Sequence, residues 1–153
     1  MTHLQVAVSV GGQAERAPGD AGGFLPAVAG YDPDGHLLAG EAGLADATSI
    51  GSADLVAAPD ATDRRGAGFA LRLAALVETA RRRLTVLTRR LVTGAVMVVP
   101  EGADSQVHAV LFQAIESGGL EVLRLVGLDE ARARAGSAED PVLGAAWLAE
   151  DMR

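Results

Sequence analysis

The sequence predicts one α/β domain, with antiparallel hairpins first and parallel strands alternating with helices after them. Three observations carry this prediction. The first forty residues hold short β-branched runs broken by Gly-Gly, by a Gly-rich stretch and by Asp-Pro-Asp-Gly. Residues 69–92 carry an apolar stripe at three- and four-residue spacing, the period of a helix with one buried face. From there the pattern alternates strand, helix, strand, helix, which joins parallel strands by crossovers. The expected whole is a mixed β-sheet, with N-terminal antiparallel hairpins plus parallel strands, flanked by three main helices.

In chain order, residues 4–10 (LQVAVSV) alternate and read as a strand. Gly11-Gly12 turns the chain tightly, and residues 13–17 return as a short second strand. Residues 24–31 (FLPAVAGY) form another strand, and Asp32-Pro33-Asp34-Gly35 is a turn in which Pro presets φ and Gly accepts φ > 0. Residues 36–39 complete that hairpin. Residues 40–68 show a weak pattern, with one helical turn expected near residues 41–47.

The helix over 69–92 places Phe69, Leu73, Leu76, Ala80, Leu84, Leu87 and Leu91 on one stripe, with Gly94 as its stop. Residues 95–99 (AVMVV) are continuously apolar, as in a strand covered on both faces. Asp104 or Ser105 then caps a helix to about residue 117, with Val107, Val110, Leu111, Ala114 and Ile115 inward. Residues 120–126 (LEVLRLV) form the next strand. Residues 127–138 read as a polar connection with a helical turn. Asp140-Pro141 opens a last helix, to about residue 151, with Val142, Leu143, Ala146 and Trp147 inward.

Composition excludes several function classes. The chain has 153 residues, 49% of them apolar and only 3% aromatic, so Ala, Val and Leu must fill the core. The net charge of −7 disfavours nucleic-acid binding, which rests on a positive footprint. All thirteen basic residues are arginine, which rules out any mechanism needing a lysine ammonium. Without cysteine there is no disulfide, thiolate nucleophile or Cys-ligated metal. Residues 1–10 lack a signal-peptide pattern and no apolar run approaches the ~20 residues of a membrane span, so a soluble cytoplasmic protein with no membrane partner is expected.

Three stretches, in the right order, carry a family resemblance. Residues 98–126 run VVPEGADSQVHAVLFQAIESGGLEVLRLV, with Val99-Pro100, Asp104-Ser105-Gln106 and a closing Gly-Leu-Glu-Val-Leu-Arg at 119–124. Residues 24–41 run FLPAVAGYDPDGHLLAGE, and residues 140–149 run DPVLGAAWLA. Together they resemble the first lobe of DnaK-type heat-shock chaperone ATPases. The resemblance implies a single actin-like, ribonuclease-H-like lobe over 1–153. It also implies a reduced remnant of the family's outer subdomain over 40–68, and a closing helix over 139–153 that rejoins the chain where the second lobe is absent.

The same resemblance locates what the chemistry would require. The family holds phosphate and a metal's water shell with an Asp-x-Gly-Thr-Thr turn after the first strand. Here that run is Ser9-Val10-Gly11-Gly12-Gln13, leaving Gly11, Gly12 and Gln13 as a vestigial phosphate turn. Two glycines can still offer backbone N–H groups to an anion; the plainer reading is a tight turn. The family's catalytic lysine has no counterpart, and Arg64 or Arg65 is no substitute for a compact ammonium. The catalytic carboxylate position falls on Leu128, with Asp129 and Glu130 just beyond it; these read as a rescued carboxylate or as the acidic first turn of a helix. The adenosine pocket belongs to the missing lobe.

Other constellations are thin. His3, His36 and His108 lack metal-ligand spacing. Asp32, Asp34 and Glu41 only loosely suggest a calcium loop, and turn chemistry explains them. Ser9, Ser105 and Ser117 have no partnered His. The arginines at 81–83 and 89–90 read as a solvated helix face or as a site for acidic protein or phosphate. The expectation is a non-catalytic pseudo-ATPase module with no catalytic residue, no metal and no ATP or ADP as cofactor. It would act through a protein partner or through self-association by the wall that the missing lobe leaves uncovered. The alternative expectation is a nucleotide-responsive half-site completed by a partner chain or a second copy.

Overall fold

The computed structural model describes residues 3–19, 23–51, 64–136 and 140–152, with the backbone alone at 64–67. Nine strands and four helices follow one another over these residues. They are β1 (His3–Leu4), β2 (Ala7–Val10), β3 (Gln13–Arg16), β4 (Leu25–Pro26), β5 (Val28–Tyr31), β6 (Leu37–Ala39), β7 (Ala45–Ser49), α1 (Arg64–Thr88), β8 (Gly94–Val98), α2 (Ser105–Ser117), β9 (Glu121–Val126), α3 (Leu128–Ala135) and α4 (Pro141–Asp151). The class is the mixed α/β arrangement that the sequence predicts. Pairing is antiparallel before α1, whereas β8 and β9 are parallel, joined by α2 as the crossover.

The first apolar run serves two neighbours. His3 and Leu4 pair with Pro26 and Leu25, while Ala7 to Val10 pair with Gln13 to Arg16. The junction keeps its hydrogen bonds, because Val6 O accepts from Ala17 N and Leu4 O from Phe24 N, each at 2.8 Å. Residues 41–47 do not form a helical turn. Ala45–Ser49 instead joins β5 as a third strand, opposite β6. An Ala/Asp/Thr stretch with no apolar period has little local preference, so the open edge of β5 decides its conformation. Its register shifts between Ala29 and Tyr31, and Asp46 takes a φ of 50°.

Helix α1 begins earlier and ends sooner than the stripe suggests. Phe69, Leu73, Leu76, Ala80 and Leu84 are buried, but Leu87 is 48% exposed and Leu91 is 73% exposed. The helix outruns the core, and a left-handed residue, Arg89 at φ 54°, ends it. Gly94 opens β8 rather than stopping the helix. Strand β8 is half-buried along its whole length, so its apolar run does not signal full cover on both faces.

Helix α2 matches its prediction residue for residue. Asp104 caps it by accepting from Gln106 N and Val107 N at 3.0 Å, and Val107, Val110, Leu111, Ala114 and Ile115 are buried. Residues 128–135 extend the expected helical turn into α3.

Asp140 caps α4 from the residue before Pro141. The seat of α4 is Gly144, Ala145 and Ala146, while Val142, Leu143 and Trp147 are only half-buried. A Cβ built on Gly144 would lie 1.8 Å from the carbonyl oxygen of Ala131, so only glycine lets α4 approach α3 this closely. The Arg134 guanidinium stands 5.7 Å from the Trp147 ring centre and pairs with Asp151 at 2.8 Å. Helix α4 thus lies against α3, the β2–β3 hairpin and both parallel strands. Among the described residues no helix is long and apolar enough to cross a membrane.

Candidate functional site

The β2–β3 turn is a two-residue loop with positive φ at both centres, 63° at Gly11 and 80° at Gly12. That geometry matches the right-handed twist of a hairpin, and glycine adopts it without a Cβ penalty. It also turns amide groups outward at the exposed tip. One of them has a ligand from within the chain: Gly12 N–H donates to Glu150 Oε1 at 2.8 Å. The other oxygen of the same carboxylate accepts the hydroxyl of Ser9 in a short hydrogen bond. Ser9 is 6% exposed and is the buried polar side chain among the described residues.

Strand alternation explains why Ser9 can do this. Successive side chains of β2 face opposite sides, so Ser9 faces α4 while Val8 and Val10 face away from it. A second tie fixes the other end of the hairpin. Arg16 Nε donates to Asp140 Oδ2 at 2.6 Å, and this hydrogen bond holds the Asp140 carboxyl below its ordinary range. Asp140 and Glu150 are ten residues apart, or ~15 Å along a helix. The hairpin is therefore clamped to α4 at both ends by carboxylates of that helix.

Of the three vestigial turn residues, Gly12 meets this carboxylate, and Gly11 precedes it at the exposed tip. Gln13 is exposed and lies on the opposite side of the hairpin. A phosphate approaching the turn would find its place held by a negative charge. A serine hydroxyl donating to a carboxylate, with no imidazole between them, is not an activated nucleophile.

The other sequence candidates lie apart from the turn. Glu130 pairs with Arg124 at 2.7 Å in the first turn of α3, and Asp129 is exposed beside it. The side chains of Arg64 and Arg65 lie outside the described residues. Asp32 accepts from Asp34 N at 2.9 Å and from His36 N at 2.8 Å, and His36 Nδ1 stands 3.2 Å from its second oxygen. The His36 backbone N–H is the main reason its carboxyl is held below the usual range. Asp32, Asp34 and His36 are thus grouped by turn chemistry, and Glu41 is not among them. Ser105, Ser117 and His108 are exposed on α2.

The arginines at 81–90 divide. Arg81 Nε donates to Gly118 O at 3.3 Å, and Arg82 pairs with Glu78 at 2.5 Å. Arg83, Arg89 and Arg90 are exposed. Arg90 lines a groove of about 450 Å³ between the outer face of the hairpin and the end of α1, together with Val8, Val10, Glu15, Leu84 and Leu87.

Sequence reasoning missed Glu150, Asp140 as an ion-pair partner, and the groove. The contacts span 138 and 141 residues for Glu150 and 124 for Arg16–Asp140, so no local spacing announces them. The one available signal was that α4 carries carboxylates at both ends of an otherwise apolar helix. Compared with known proteins, the chain matches no protein-family model and no curated sequence.

Proposed function

We propose that the chain is a non-catalytic module that works through protein contacts, descended from the first lobe of a DnaK-type ATPase and no longer turning over nucleotide. The observation that supports this reading is the Glu150 carboxylate seated on Gly12 N–H and Ser9. In the resembled family this turn faces phosphate. Here its place is filled by the chain's own helix, and a like charge repels the ligand that the turn would otherwise accept. A lobe reduced in this way keeps a fold suited to presenting surfaces, in the cytoplasm, to a protein partner.

Calorimetric titration with ATP and ADP in the presence of magnesium, with thermal unfolding followed in the same buffer, tests the proposal. The expected result is no saturable heat and no shift in Tm. Saturable binding in the micromolar range would overturn it, and would favour the nucleotide-responsive half-site.

A further inference from the structure

Residues 81–90 contain five of the thirteen basic residues and no acidic one, in a chain of net charge −7. Two of the five have partners, Gly118 O for Arg81 and Glu78 for Arg82. Arg83 lies four residues before Leu87, which puts both on one face of α1, and Arg90 follows three residues later. Leu87 and Arg90 line the 450 Å³ groove, whose apolar surface is completed by Leu84, Val8 and Val10. Val10 and Leu87 are 44% and 48% exposed. On this side the acidic protein therefore presents a partly apolar cleft with Arg90 on its lining and Arg83 one helical turn before Leu87.

We infer that the groove between the β2–β3 hairpin and the end of α1 docks an acidic, leucine-anchored peptide segment of a partner protein. This inference rests on the reading of the chain as a protein-contact module. Apolar side chains of the segment lie on the exposed Val10 and Leu87, with the half-buried Val8 between hairpin and helix. Its carboxylates face Arg83 and Arg90, whose guanidinium groups suit paired acceptors. Arg16, on the hairpin wall, already serves Asp140 and adds no free charge. Glu15, also on that wall, repels acid and orients the charged edge of the segment toward α1. Arginines at the end of α1 also complement its carbonyl terminus. That local effect does not account for Val10 and Leu87 remaining exposed beside them.

The test uses the full chain and two labelled 14-residue peptides in fluorescence anisotropy at about 0.15 M salt. One peptide carries leucine at three- and four-residue spacing with glutamate elsewhere; the other has lysine in place of each glutamate. Saturable binding of the acidic peptide alone is expected. It should weaken about tenfold or more in Arg83→Glu/Arg90→Glu and in Val10→Ser/Leu87→Ser, and strengthen in Glu15→Gln. All five positions are exposed, and circular dichroism checks that each variant folds. Absence of binding, equal binding of both peptides, or binding unchanged by the groove substitutions would overturn the inference. So would a dimer in sedimentation that Val10→Ser/Leu87→Ser dissolves, since a second copy would then fill the groove. Nucleotide binding would sink the proposed function without touching this result, and loss of peptide binding would leave the nucleotide result standing.

Discussion

The two faces of the β2–β3 hairpin have opposite fates. Toward α4, Ser9 and Gly12 are held by Glu150, and Arg16 is held by Asp140. Away from α4, Val8 packs half-buried against the core, whereas Val10 at the hairpin tip and Leu87 near the end of α1 stay 44% and 48% exposed. The sequence alternates alike on both sides, one polar and one apolar, yet the polar face is the closed one. The lesson is that a buried serine with a paired carboxylate makes a sealed contact, whereas an apolar strand end beside an exposed helix end leaves an open groove.

Substitutions can break this contrast, beginning with the helix that closes the first face. Gly144→Ala should have the largest effect, because a methyl group 1.8 Å from Ala131 O forces α4 away from α3 and loosens the hairpin with it. A loss of about 3 kcal/mol or more in urea unfolding is expected, at the upper end of what overpacking costs. A change below about 1 kcal/mol would show that α4 has room to move.

Within α1 the two ends should behave differently. Leu76, 1% exposed, should cost about 2–5 kcal/mol on truncation to Ala. Leu87→Ala, at the open groove, should change unfolding by no more than about 0.5 kcal/mol. Equal effects would mean that the groove is closed in solution.

Glu150→Ala removes the carboxylate from Ser9 and Gly12 and should cost about 1–3 kcal/mol, since the Ser9 hydroxyl then stays buried without its acceptor. Ser9→Ala combined with Glu150→Ala should cost less than the sum of the two single changes, as a double-mutant cycle would show.

The smallest effect concerns the other clamp. The Asp140 carboxyl lies below its ordinary value of 3.8 in the folded chain. Its contribution is therefore fully present above about pH 4 and is lost as pH falls through the lower, folded value. Asp140→Asn keeps the helix cap but not the charge facing Arg16. It should lower stability slightly at pH 7, with the difference from the parent chain shrinking below pH 4. A difference that persisted at pH 2 would assign the effect to the cap instead.

Much of the architecture was legible in the residues. Asp104 and Asp140 announced helix starts because capping is local chemistry, satisfied within three residues. The inward set of α2 was readable because its period matches a single buried face along the whole helix. The Gly11-Gly12 turn and the Asp32 turn were equally local. What failed was whatever depended on a neighbour. Strand β7 gained its form from the edge of β5, and the last two leucines of the α1 stripe lacked a facing layer to bury them.

The sequence alone thus determined the class, the alternation of strands and helices from α1 onward, the caps of α2 and α4 and the tight turns, and the absence of lysine and cysteine chemistry. All of these are set by interactions across a few residues or by composition. Only the tertiary structure decided that the glycine turn is filled by Glu150 and that Gly144 lets α4 come close enough to α3. It alone also showed the open groove beside the exposed arginines. Those features depend on groups far apart in the chain, whose meeting is fixed by the packing of α4 and α1 rather than by any spacing along the sequence.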